Sequence, residues 1–542
     1  MKKKLVSMLL CATMVASLAA CGSEPASVVS SSNDNVTSND EGSEVAPFEL
    51  SSIKMVVDGT LTATTDSGQQ EFEAQWEAAV AEKTGKTIDL EIQQLDHSGY
   101  NDAVGRLFAG GDYPDVMIMT ATMYAEYATS GMLWDMTEAY NNAEFQSRIT
   151  APEINEGLKK NGKLYGFAPA YGNGCVTYVK QSWLDAAGIT ADSIKTFDDY
   201  YNMLLAFHNG DPDGNGVDGD TYGTIAAGYC KTDEAPYIMY LPEFWQDAYP
   251  AIYKNAEGVW VDGFQEEATK AALLRLQKGR AEGAIDPETL TASTKIAREK
   301  YFSNEQSGSA GSFAYWAGTW YQTLTDNLIK NEVNTDLVQI APIAEVGAYI
   351  NREAPVWVII DDGDGDNSRE QAIFDAFIDT MLDGGKIQTL WTYGAEDVHW
   401  STKAESFSTN ADNPEKKKDY EYAEGVFHLK QAPNDANTLW KKNAMDPALV
   451  IAPLTGDYAS FTSTSELAAQ GNKFFTANCK DAYSSPSSET YTEVSGKIID
   501  AKDVAIAEVV ENGGDVDAAL SKYLEDVGED IEAVLAELNA AE

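Results

Sequence analysis

The sequence is poor in basic residues. Its 38 lysines and arginines stand against 86 aspartates and glutamates, which gives a net charge of −48 over 542 residues. A surface of that sign repels the phosphate backbone, so nucleic acid is excluded as a partner. Histidine is scarce as well, and the four histidines form no HxxxH or HExxH spacing, which argues against a zinc site. The sequence also lacks GxSxG and Walker A motifs and therefore holds no positive sign of catalysis.

Cysteine is equally sparse. The five cysteines are widely spaced without a CxxC pair, so we expect no disulfide framework and predict buried free thiols in the body of the chain. No run approaches the 18 uninterrupted apolar residues of a membrane-spanning helix. Because 44% of the residues are hydrophobic, the chain still has enough apolar material for large cores, and its length predicts two lobes or more.

The N-terminus has the pattern of a secretory signal. Lysines follow the initial methionine, residues 5–15 form a short apolar stretch, and small residues precede Cys21. The run Leu18-Ala-Ala-Cys21 resembles the lipobox of bacterial lipoproteins, which implies cleavage before Cys21 and lipidation of its thiol. Residues 1–20 are thus predicted to be the signal peptide, and residues 21–47, rich in Ser, Asn, Asp and Glu, a flexible tether. The alternative is an ordinary secretory signal with an accidental cysteine.

Strand and helix patterns alternate after the tether. Residues 53–57 form a strand-like run, residues 116–119 form an apolar strand, and residues 87–95 alternate between apolar and polar side chains as in a half-buried strand. Between residues 57 and 87, Phe72 and Trp76 share one face of a helical pattern. This alternation predicts an α/β architecture with a largely parallel sheet, and such sheets bind ligands at the carboxyl ends of their strands.

Seven short motifs follow one another along the body. They are Gly110-Gly-Asp-Tyr-Pro-Asp-Val116, Gly131-Met-Leu-Trp-Asp-Met136, Asn161-Gly-Lys-Leu-Tyr-Gly-Phe-Ala-Pro169, Tyr178-Val-Lys-Gln-Ser-Trp-Leu-Asp-Ala-Ala-Gly188, Thr196-Phe-Asp-Asp-Tyr-Tyr201, Gly283-Ala-Ile-Asp-Pro-Glu288 and Tyr393-Gly-Ala-Glu-Asp-Val-His399. In this order, behind a lipobox and a tether, they resemble the signatures of the family 1 extracellular solute-binding proteins, the ligand-capturing lipoproteins of ABC importers. The resemblance runs from about residue 51 to the end.

The resemblance implies a two-lobed, periplasmic-binding-protein-like α/β fold with discontinuous lobes and a hinge, similar to maltose-binding protein. The implied division is lobe one at 48–168 and 341–399, and lobe two at 169–340 and 400–542. Pro169 and the apolar run 337–342 are the hinge candidates.

One acidic loop has the spacing of a calcium site. Calcium takes six to eight hard oxygen ligands, and a loop can supply them from side chains at positions 1, 3 and 5 and a backbone carbonyl at position 7. The residues at these positions are Asp211, Asp213, Asn215 and Val217. The loop resembles the calcium loop of alginate-binding members of the family, which implies that Asp220 closes the shell. An apparent one-residue insertion leaves Asp218 as an alternative ligand, and a metal-free, Asx-rich surface loop is the alternative for the whole segment.

A second acidic run, residues 361–367, also carries oxygen ligands. For this run we favour a loop that leads into a helix, with Ser368 as the N-cap, over a metal site.

The ligand site should contain flat aromatic faces, because one face of a pyranose is apolar while its hydroxyl groups need polar partners. The densest aromatic cluster, residues 313–320, falls where sugar-binding members of the family carry a stacking tryptophan. The candidate ligand-binding residues are Trp316, then Trp320, with Tyr171, Asn173, Trp245, Trp357, Asp96 and His97. For each of these, packing in a core is the alternative, and Trp183 is assigned to packing outright.

The sequence therefore predicts a monomeric, non-enzymatic receptor, lipid-anchored on the extracellular face of the bacterial cytoplasmic membrane. We expect it to capture a carbohydrate by lobe closure and to deliver it to an ABC transporter permease. A neutral oligosaccharide is the predicted ligand, because an acidic body disfavours polyanionic sugars unless basic residues line the cleft. The alternatives are a lipoprotein that binds peptides or other solutes, and a secreted glycoside hydrolase.

Overall fold

The structure, a computed structural model, describes most of the chain after the predicted tether. The described residues are 48–58, 66–96, 99–128, 130–232, 234–303, 308–333, 335–409, 418–430, 445, 448–462 and 465–540. The predicted signal peptide, Cys21, the tether and His97 lie outside them.

The described helices alternate with strands through the first half of the chain and dominate its C-terminal end. They are α1 Asp66–Thr84, α2 Tyr100–Gly110, α3 Ala121–Tyr127, α4 Thr137–Asn142, α5 Pro152–Gly157, α6 Gln181–Ala187, α7 Phe197–Asn209, α8 Pro242–Trp245, α9 Glu267–Ala281, α10 Thr294–Phe302, α11 Thr319–Lys330, α12 Ser368–Ile373, α13 Asp379–Met381, α14 Lys386–Tyr393, α15 Glu466–Ala477, α16 Glu489–Val510 and α17 Val516–Ala540. A π-helical turn at Phe374–Ile378 joins α12 to α13.

The described strands are short. They are β1 Ser52–Val57, β2 Asp89–Gln94, β3 Val116–Met119, β4 Cys175–Lys180, β5 Tyr222–Thr224, β6 Ile252–Lys254, β7 Trp260–Asp262, β8 Ala310–Trp316, β9 Leu337–Gln339, β10 Tyr349–Asn351, β11 Val356–Ile359, β12 Trp400–Ser401, β13 Glu405–Thr409, β14 Lys418–Tyr422, β15 His428–Leu429 and β16 Cys479–Asp481.

The first of two larger sheets has the strand order β11-β3-β1-β2. Strands β1, β2 and β3 are parallel, with Ile53 opposite Leu90 and Met55 opposite Val116, and β11 joins β3 antiparallel. The residues of β3 and β11 are buried throughout, as expected for strands covered by helices on both faces. The predicted α/β architecture with a largely parallel sheet is confirmed here.

The second of the larger sheets has the order β5-β8-β4-β9. Strand β8 is parallel to β5, and β4 runs antiparallel to both of its neighbours, β8 and β9. The N-terminal end of β4 therefore lies beside the carboxyl end of β8, where Cys175 is opposite Trp316.

Each of these sheets lies in a separate hydrophobic core. The core of the first sheet gathers residues from 53 to 168 and again from 354 to 395, and the core of the second gathers residues from 175 to 349 and again from 475 to 538. Two details differ from the division that the resemblance implies. Ile343 and Val346 pack in the second core, and Ile451 and Ala452 pack in the first. The lobe boundaries themselves stay predictions.

The C-terminal helices α16 and α17 pack on each other and contribute to the second core. The apolar stripe of α17 includes the buried residues Leu520, Val527, Ile531 and Val534. Core packing therefore accounts for the amphipathic pattern of this helix. Among the described helices, none is both long and apolar enough to cross a membrane.

Candidate ligand-binding site

Three segments run between the two sheets, side by side. Segment 167–174 leaves the first sheet, where Phe167 pairs with Trp357 of β11, and leads into β4. Segment 349–356 runs in the opposite direction, and its Arg352 N–H donates to the Asn173 carbonyl at 2.8 Å. A third segment lies against the first through an isolated bridge between Ala170 and Val450.

The carboxyl ends of β3 and β8 both adjoin these crossing segments. Strand β3 ends beside the start of β11, and β8 ends beside the start of β4. Pro169, one of the two hinge candidates, lies in the first crossing segment, and its carbonyl accepts a hydrogen bond from Ile451. The other candidate, 337–342, lies in the second lobe, because β9 is a strand of the second sheet and Ile340 is buried in its core.

Trp316 is the last residue of β8 and is half-buried. The guanidinium carbon of Arg352 lies 4.6 Å from its ring centroid, a cation–π contact typically of about 0.5–2 kcal/mol. The same guanidinium pairs with Glu234, with Nη1 2.5 Å from Oε1, and both side chains are 25% exposed. Trp316 thus has a planar cation on its ring, at the edge where the crossing segments meet the second sheet.

Tyr171 and Asn173 lie on the first crossing segment, which leads into β4 beside the end of β8. Tyr171 is 37% exposed, while its backbone N–H donates to Leu449 at 2.8 Å. The Asn173 amide donates to the carbonyl of Ala317, the residue after Trp316, at 3.2 Å. Gly172 stands between them because the chain passes close to Arg352: a Cβ at this position would lie 1.6 Å from the Arg352 carbonyl oxygen.

Trp320 lines a groove of about 530 Å³ between α10 and α11. The groove also carries Lys295, Arg298, Thr323 and Asn327. The guanidinium carbon of Arg298 lies 5.1 Å from the Trp320 ring centroid, and its Nη1 donates to the Tyr315 hydroxyl at 2.6 Å. Both leading candidate tryptophans therefore have an arginine against the ring.

Two other predicted aromatic platforms present no face to a ligand. Trp245 is completely buried, and its indole N–H donates to the Tyr229 carbonyl at 2.7 Å. Trp357 is completely buried between Phe377 and Trp391. For these two residues the structure corrects the prediction, because a ring enclosed on both faces by core side chains cannot stack on a sugar in this conformation.

Asp96 belongs to the other sheet. It is exposed just beyond the carboxyl end of β2, the edge at which ligands of parallel sheets bind. The contacts described for the crossing segments do not bring it to Trp316, and its predicted ligand role stays a prediction.

The acidic loop 211–220 connects α7 to β5. Helix α7 begins with a capping box in which Thr196 Oγ1 accepts from Asp199 N–H and the Asp199 carboxylate accepts from Thr196 N–H. Just after the loop, the Thr221 hydroxyl donates to the Phe207 carbonyl at 2.6 Å. The C-terminal end of the loop is therefore tied back to the last turns of α7, where both residues are buried.

Inside this loop the predicted ligands already face one another. The carboxylate of Asp211 accepts the backbone N–H groups of Asn215 and Gly216, both at 2.8 Å. The Asn215 amide lies between Asp213 Oδ2 at 3.0 Å and Asp220 Oδ2 at 2.9 Å. The other oxygen of Asp220 is buried without a hydrogen-bond partner. Burial raises the pKa of Asp213, and the neighbouring carboxylates of Asp211 and Asp220 raise it further.

These residues fit a hard cation. An orphaned carboxylate oxygen and a carboxyl group held among like charges both gain from a bound positive ion. Asp218 is exposed, whereas Asp220 contacts the loop interior, which favours Asp220 as the ligand. The oxygens of the three aspartates are not all within 4.8 Å of one another, because the Asn215 amide stands between two of them.

The fold and the crossing segments define a two-lobed α/β protein of the periplasmic-binding-protein type. Solved structures share this fold over most of the chain. The alginate-binding protein AlgQ2 has a TM-score of 0.60 at 16% identity, covering 90% of this chain and 97% of its own. The N-glycan transport solute-binding protein NgtS of Streptococcus pneumoniae has a TM-score of 0.57 at 15% identity, covering 90% and 98%.

Two curated relatives come from Bacillus subtilis (strain 168). Lipoprotein LipO is 26% identical over 215 residues, 39% of this chain and 41% of the relative. The polygalacturonan/rhamnogalacturonan-binding protein YtcQ is 23% identical over 229 residues, 41% of this chain and 43% of the relative. The chain thus matches less than half the length of each. No protein-family model matches the chain. The resemblance to solute-binding proteins that the motifs predicted is confirmed by the shared fold. The two relatives agree with it, since one is named a lipoprotein and the other a polysaccharide-binding protein.

Sequence reasoning missed the charged residues of this site. Arg352 and Glu234 are 118 positions apart, and no local pattern indicates their ion pair. Arg298 lies on a helix whose spacing gives no sign that it reaches Tyr315. The one available signal is the scarcity of basic residues: because the chain has so few, an arginine close in sequence to a candidate aromatic residue is itself a candidate site residue.

Proposed function

We propose that this chain is an extracellular solute-binding receptor that captures a carbohydrate between its two lobes and delivers it to an ABC transporter permease. The observation that carries the proposal is that Tyr171 and Asn173 lie on a segment that crosses between the sheets, and that Asn173 bonds to Ala317, the residue after Trp316, at the end of β8. An aromatic ring beside amide and charged groups matches the mixed apolar and polar surface of a sugar. The solute-binding proteins that share the fold support the same role.

A neutral oligosaccharide is the proposed ligand. Asn173 and the paired Glu234 and Arg352 offer donors and acceptors to hydroxyl groups, and the ion pair leaves no net charge there. An acidic oligosaccharide is the second candidate, because Lys295 and Arg298 line the adjoining groove beside Trp320. The names of AlgQ2 and YtcQ, which bind alginate and polygalacturonan or rhamnogalacturonan, favour that second candidate.

A thermal-shift screen of the purified chain tests the ligand class. The screen contains neutral oligosaccharides, uronic-acid oligosaccharides, monosaccharides and peptides. A ligand present at 100 times its Kd should stabilise the protein by about 2.7 kcal/mol. Trp316→Ala should weaken binding of the active ligand by about 2 kcal/mol, roughly 30-fold. Trp183→Phe, at a buried position of α6, should leave the affinity unchanged. Stabilisation by peptides alone would remove the carbohydrate proposal.

We propose no enzymatic activity for this chain. Solute-binding proteins capture and release their ligands unchanged, and the site joins the charged pair Glu234 and Arg352 rather than two opposed carboxyl groups. Release of reducing ends from a bound oligosaccharide by the purified chain would contradict this.

The proposed location is the extracellular face of the cytoplasmic membrane, held by a lipid on Cys21 and a tether to residue 47, with the protein a monomer. The lipoprotein name of LipO supports this location. Cys21→Ser should release the protein into the medium. Retention of that variant in the membrane fraction would show that another element anchors it.

We propose that the loop 211–220 binds a structural calcium ion. Asp211, Asp213, Asn215, the Val217 carbonyl and Asp220 would hold it, with the Asn215 amide rotated so that its oxygen faces the ion. The buried, unpartnered oxygen of Asp220 supports this proposal. The ion would neutralise the charge gathered between α7 and β5 and hold the loop in one conformation.

A further inference from the structure

The second acidic run lies between β11 and α12, on the first lobe. The prediction that Ser368 caps the helix is wrong: Ser368 is the first residue of α12, and the N-cap is Asn367, whose side chain makes no capping hydrogen bond. The aspartates of the loop instead form successive Asx turns. Asp361 Oδ1 accepts from Gly363 N–H at 2.8 Å, and Asp362 Oδ1 accepts from Asp364 N–H at 3.0 Å. These turns fix the two aspartates and use one oxygen of each.

Glu370 projects from α12 into this loop and is 1% exposed. Its Oε1 accepts hydrogen bonds from Asp362 N–H and from the Arg369 guanidinium, both at 3.3 Å. Its Oε2 is buried and has no hydrogen-bond partner. A buried carboxylate oxygen without a donor destabilises the fold, because the oxygen has lost its hydrogen bonds to water and has no protein hydrogen bond in their place.

The carboxylates of Asp361, Asp362 and Glu370 converge. One oxygen from each lies within 4.8 Å of the others. Oxygens that bind the same calcium ion at about 2.4 Å can be at most about 4.8 Å apart, so all three could reach one ion where they stand. Arg369 balances part of this charge, but its guanidinium also pairs with Asp115.

We propose that Asp361, Asp362 and Glu370 form a binding site for a hard divalent cation, with calcium as the best fit. The donors are all carboxylate oxygens, which select calcium, magnesium or manganese over zinc or copper. Asp361 is half-buried and Asp362 is exposed, so water can complete the shell. Calcium is favoured over magnesium because it tolerates irregular geometry, whereas magnesium demands a near-ideal octahedron. The ion would tie the end of β11 to the start of α12 and satisfy the orphaned oxygen of Glu370.

The test uses the complete mature chain, stripped with a chelator and titrated with calcium chloride by isothermal calorimetry. Asp213→Asn with Asp220→Asn forms the background, so that the loop 211–220 does not contribute. We expect this background to bind one calcium ion. Glu370→Gln should weaken that binding at least tenfold. Asp364→Asn is the matched control: it makes the same charge change in the same loop, keeps an oxygen for its Asx turn and should leave the affinity unchanged.

A second measurement separates lost binding from misfolding. In EDTA, Glu370→Gln should melt no lower than the background, because an amide replaces a buried charge. Calcium should raise the melting temperature of the background and of Asp364→Asn but not of Glu370→Gln. The proposal is overturned if the background binds no calcium, which would mean that the Arg369 guanidinium alone balances the charge of the carboxylates. It is also overturned if Glu370→Gln and Asp364→Asn bind calcium equally. Neither result bears on carbohydrate binding at Trp316.

Discussion

Among single residues, Glu243 is notable because it carries a carboxyl group into the second core. It is 1% exposed, its Oε1 accepts from the Thr177 hydroxyl at 2.6 Å, and its Oε2 has no hydrogen-bond partner. Burial raises the pKa of Glu243 to about 7, although the hydrogen bond from Thr177 opposes the shift. The group is therefore neutral in the folded protein at pH values where it is ionised in the unfolded chain.

Glu243→Gln should change how stability depends on pH. Between about pH 4.5 and pH 7 the unfolded chain releases the Glu243 proton while the folded protein retains it, so stability falls as pH rises. A pKa difference of this size corresponds to roughly 3 kcal/mol of unfolding free energy, which the wild type should lose as pH rises through this range. The variant, which has no carboxyl group at this position, should not lose it. Urea unfolding at pH 5 and pH 8 measures the effect, with the exposed Glu257→Gln as control. Parallel profiles for the wild type and Glu243→Gln would contradict it.

The tryptophans show what the sequence could and could not resolve at this scale. Trp357 lies within a continuous apolar run of β11, which is typical of a strand covered on both faces, so its burial was within reach of pattern reasoning. Trp316 is the last residue of β8, and its predicted role in ligand binding stays a prediction. Its contact with Arg352 depends on two distant segments crossing, and no residue pattern encodes that meeting.

For helices and strands, prediction succeeded where periodicity was strong. Strand β3 has the predicted bounds, and Phe72 and Trp76, predicted on one helical face, are both buried on α1. Prediction was less complete for short apolar segments. The run 337–342 is a predicted hinge, and the structure shows that its first three residues form β9 of the second sheet. Short apolar segments do not reveal which sheet or core they join, since that depends on tertiary partners.

Gly172→Ala should disturb the crossing segments. Its new Cβ would lie 1.6 Å from the Arg352 carbonyl, a backbone atom that cannot move away alone. We expect a loss of about 1–3 kcal/mol of stability, the range typical of overpacking, with weaker ligand binding because Asn173 and Arg352 shift together. The control is Gly105→Ala in α2, where a Cβ meets nothing within 4 Å and a gain of about 0.5–1 kcal/mol is expected. Equal unfolding free energies for the two variants in urea would refute the close-packed crossing.

Asp220→Asn should remove the response of the loop 211–220 to calcium. The comparison is made in the Glu370→Gln background, so that the second proposed site does not contribute. Calcium should raise the melting temperature of that background by several degrees. It should raise the melting temperature of Asp218→Asn in the same background equally, because the Asp218 side chain is exposed. Asp220→Asn should lose most of the increase, because it removes the oxygen left without a partner. A loss in Asp218→Asn instead would make Asp218 the ligand, and no effect of EDTA in any variant would exclude the ion.

For the whole molecule, the excess of acidic residues and the separation of the two cores have different consequences. The net charge of −48 is largely a property of the surface, but the groove beside Trp320 carries an excess of one positive charge, because Lys295 and Arg298 outnumber Glu299 there. An average charge therefore says little about the charge of a binding site. Because the first and second cores are separate and are joined by backbone segments, the lobes can reorient without either core being repacked.

Ligand binding should therefore close the lobes. A ligand can shift this equilibrium only if it binds the closed form better, and Trp316 lies where both lobes could contact it. Small-angle X-ray scattering should show a smaller radius of gyration for the mature wild type with the best ligand of the thermal-shift screen at 100 times its Kd. At about three times the wild-type Kd, the wild type should be roughly three-quarters bound and Trp316→Ala, which binds roughly 30-fold more weakly, only about one-tenth bound, so the variant should retain most of the open dimension there. Saturated wild-type protein with an unchanged radius of gyration would mean that the lobes bind the solute without moving, and capture by closure would be wrong.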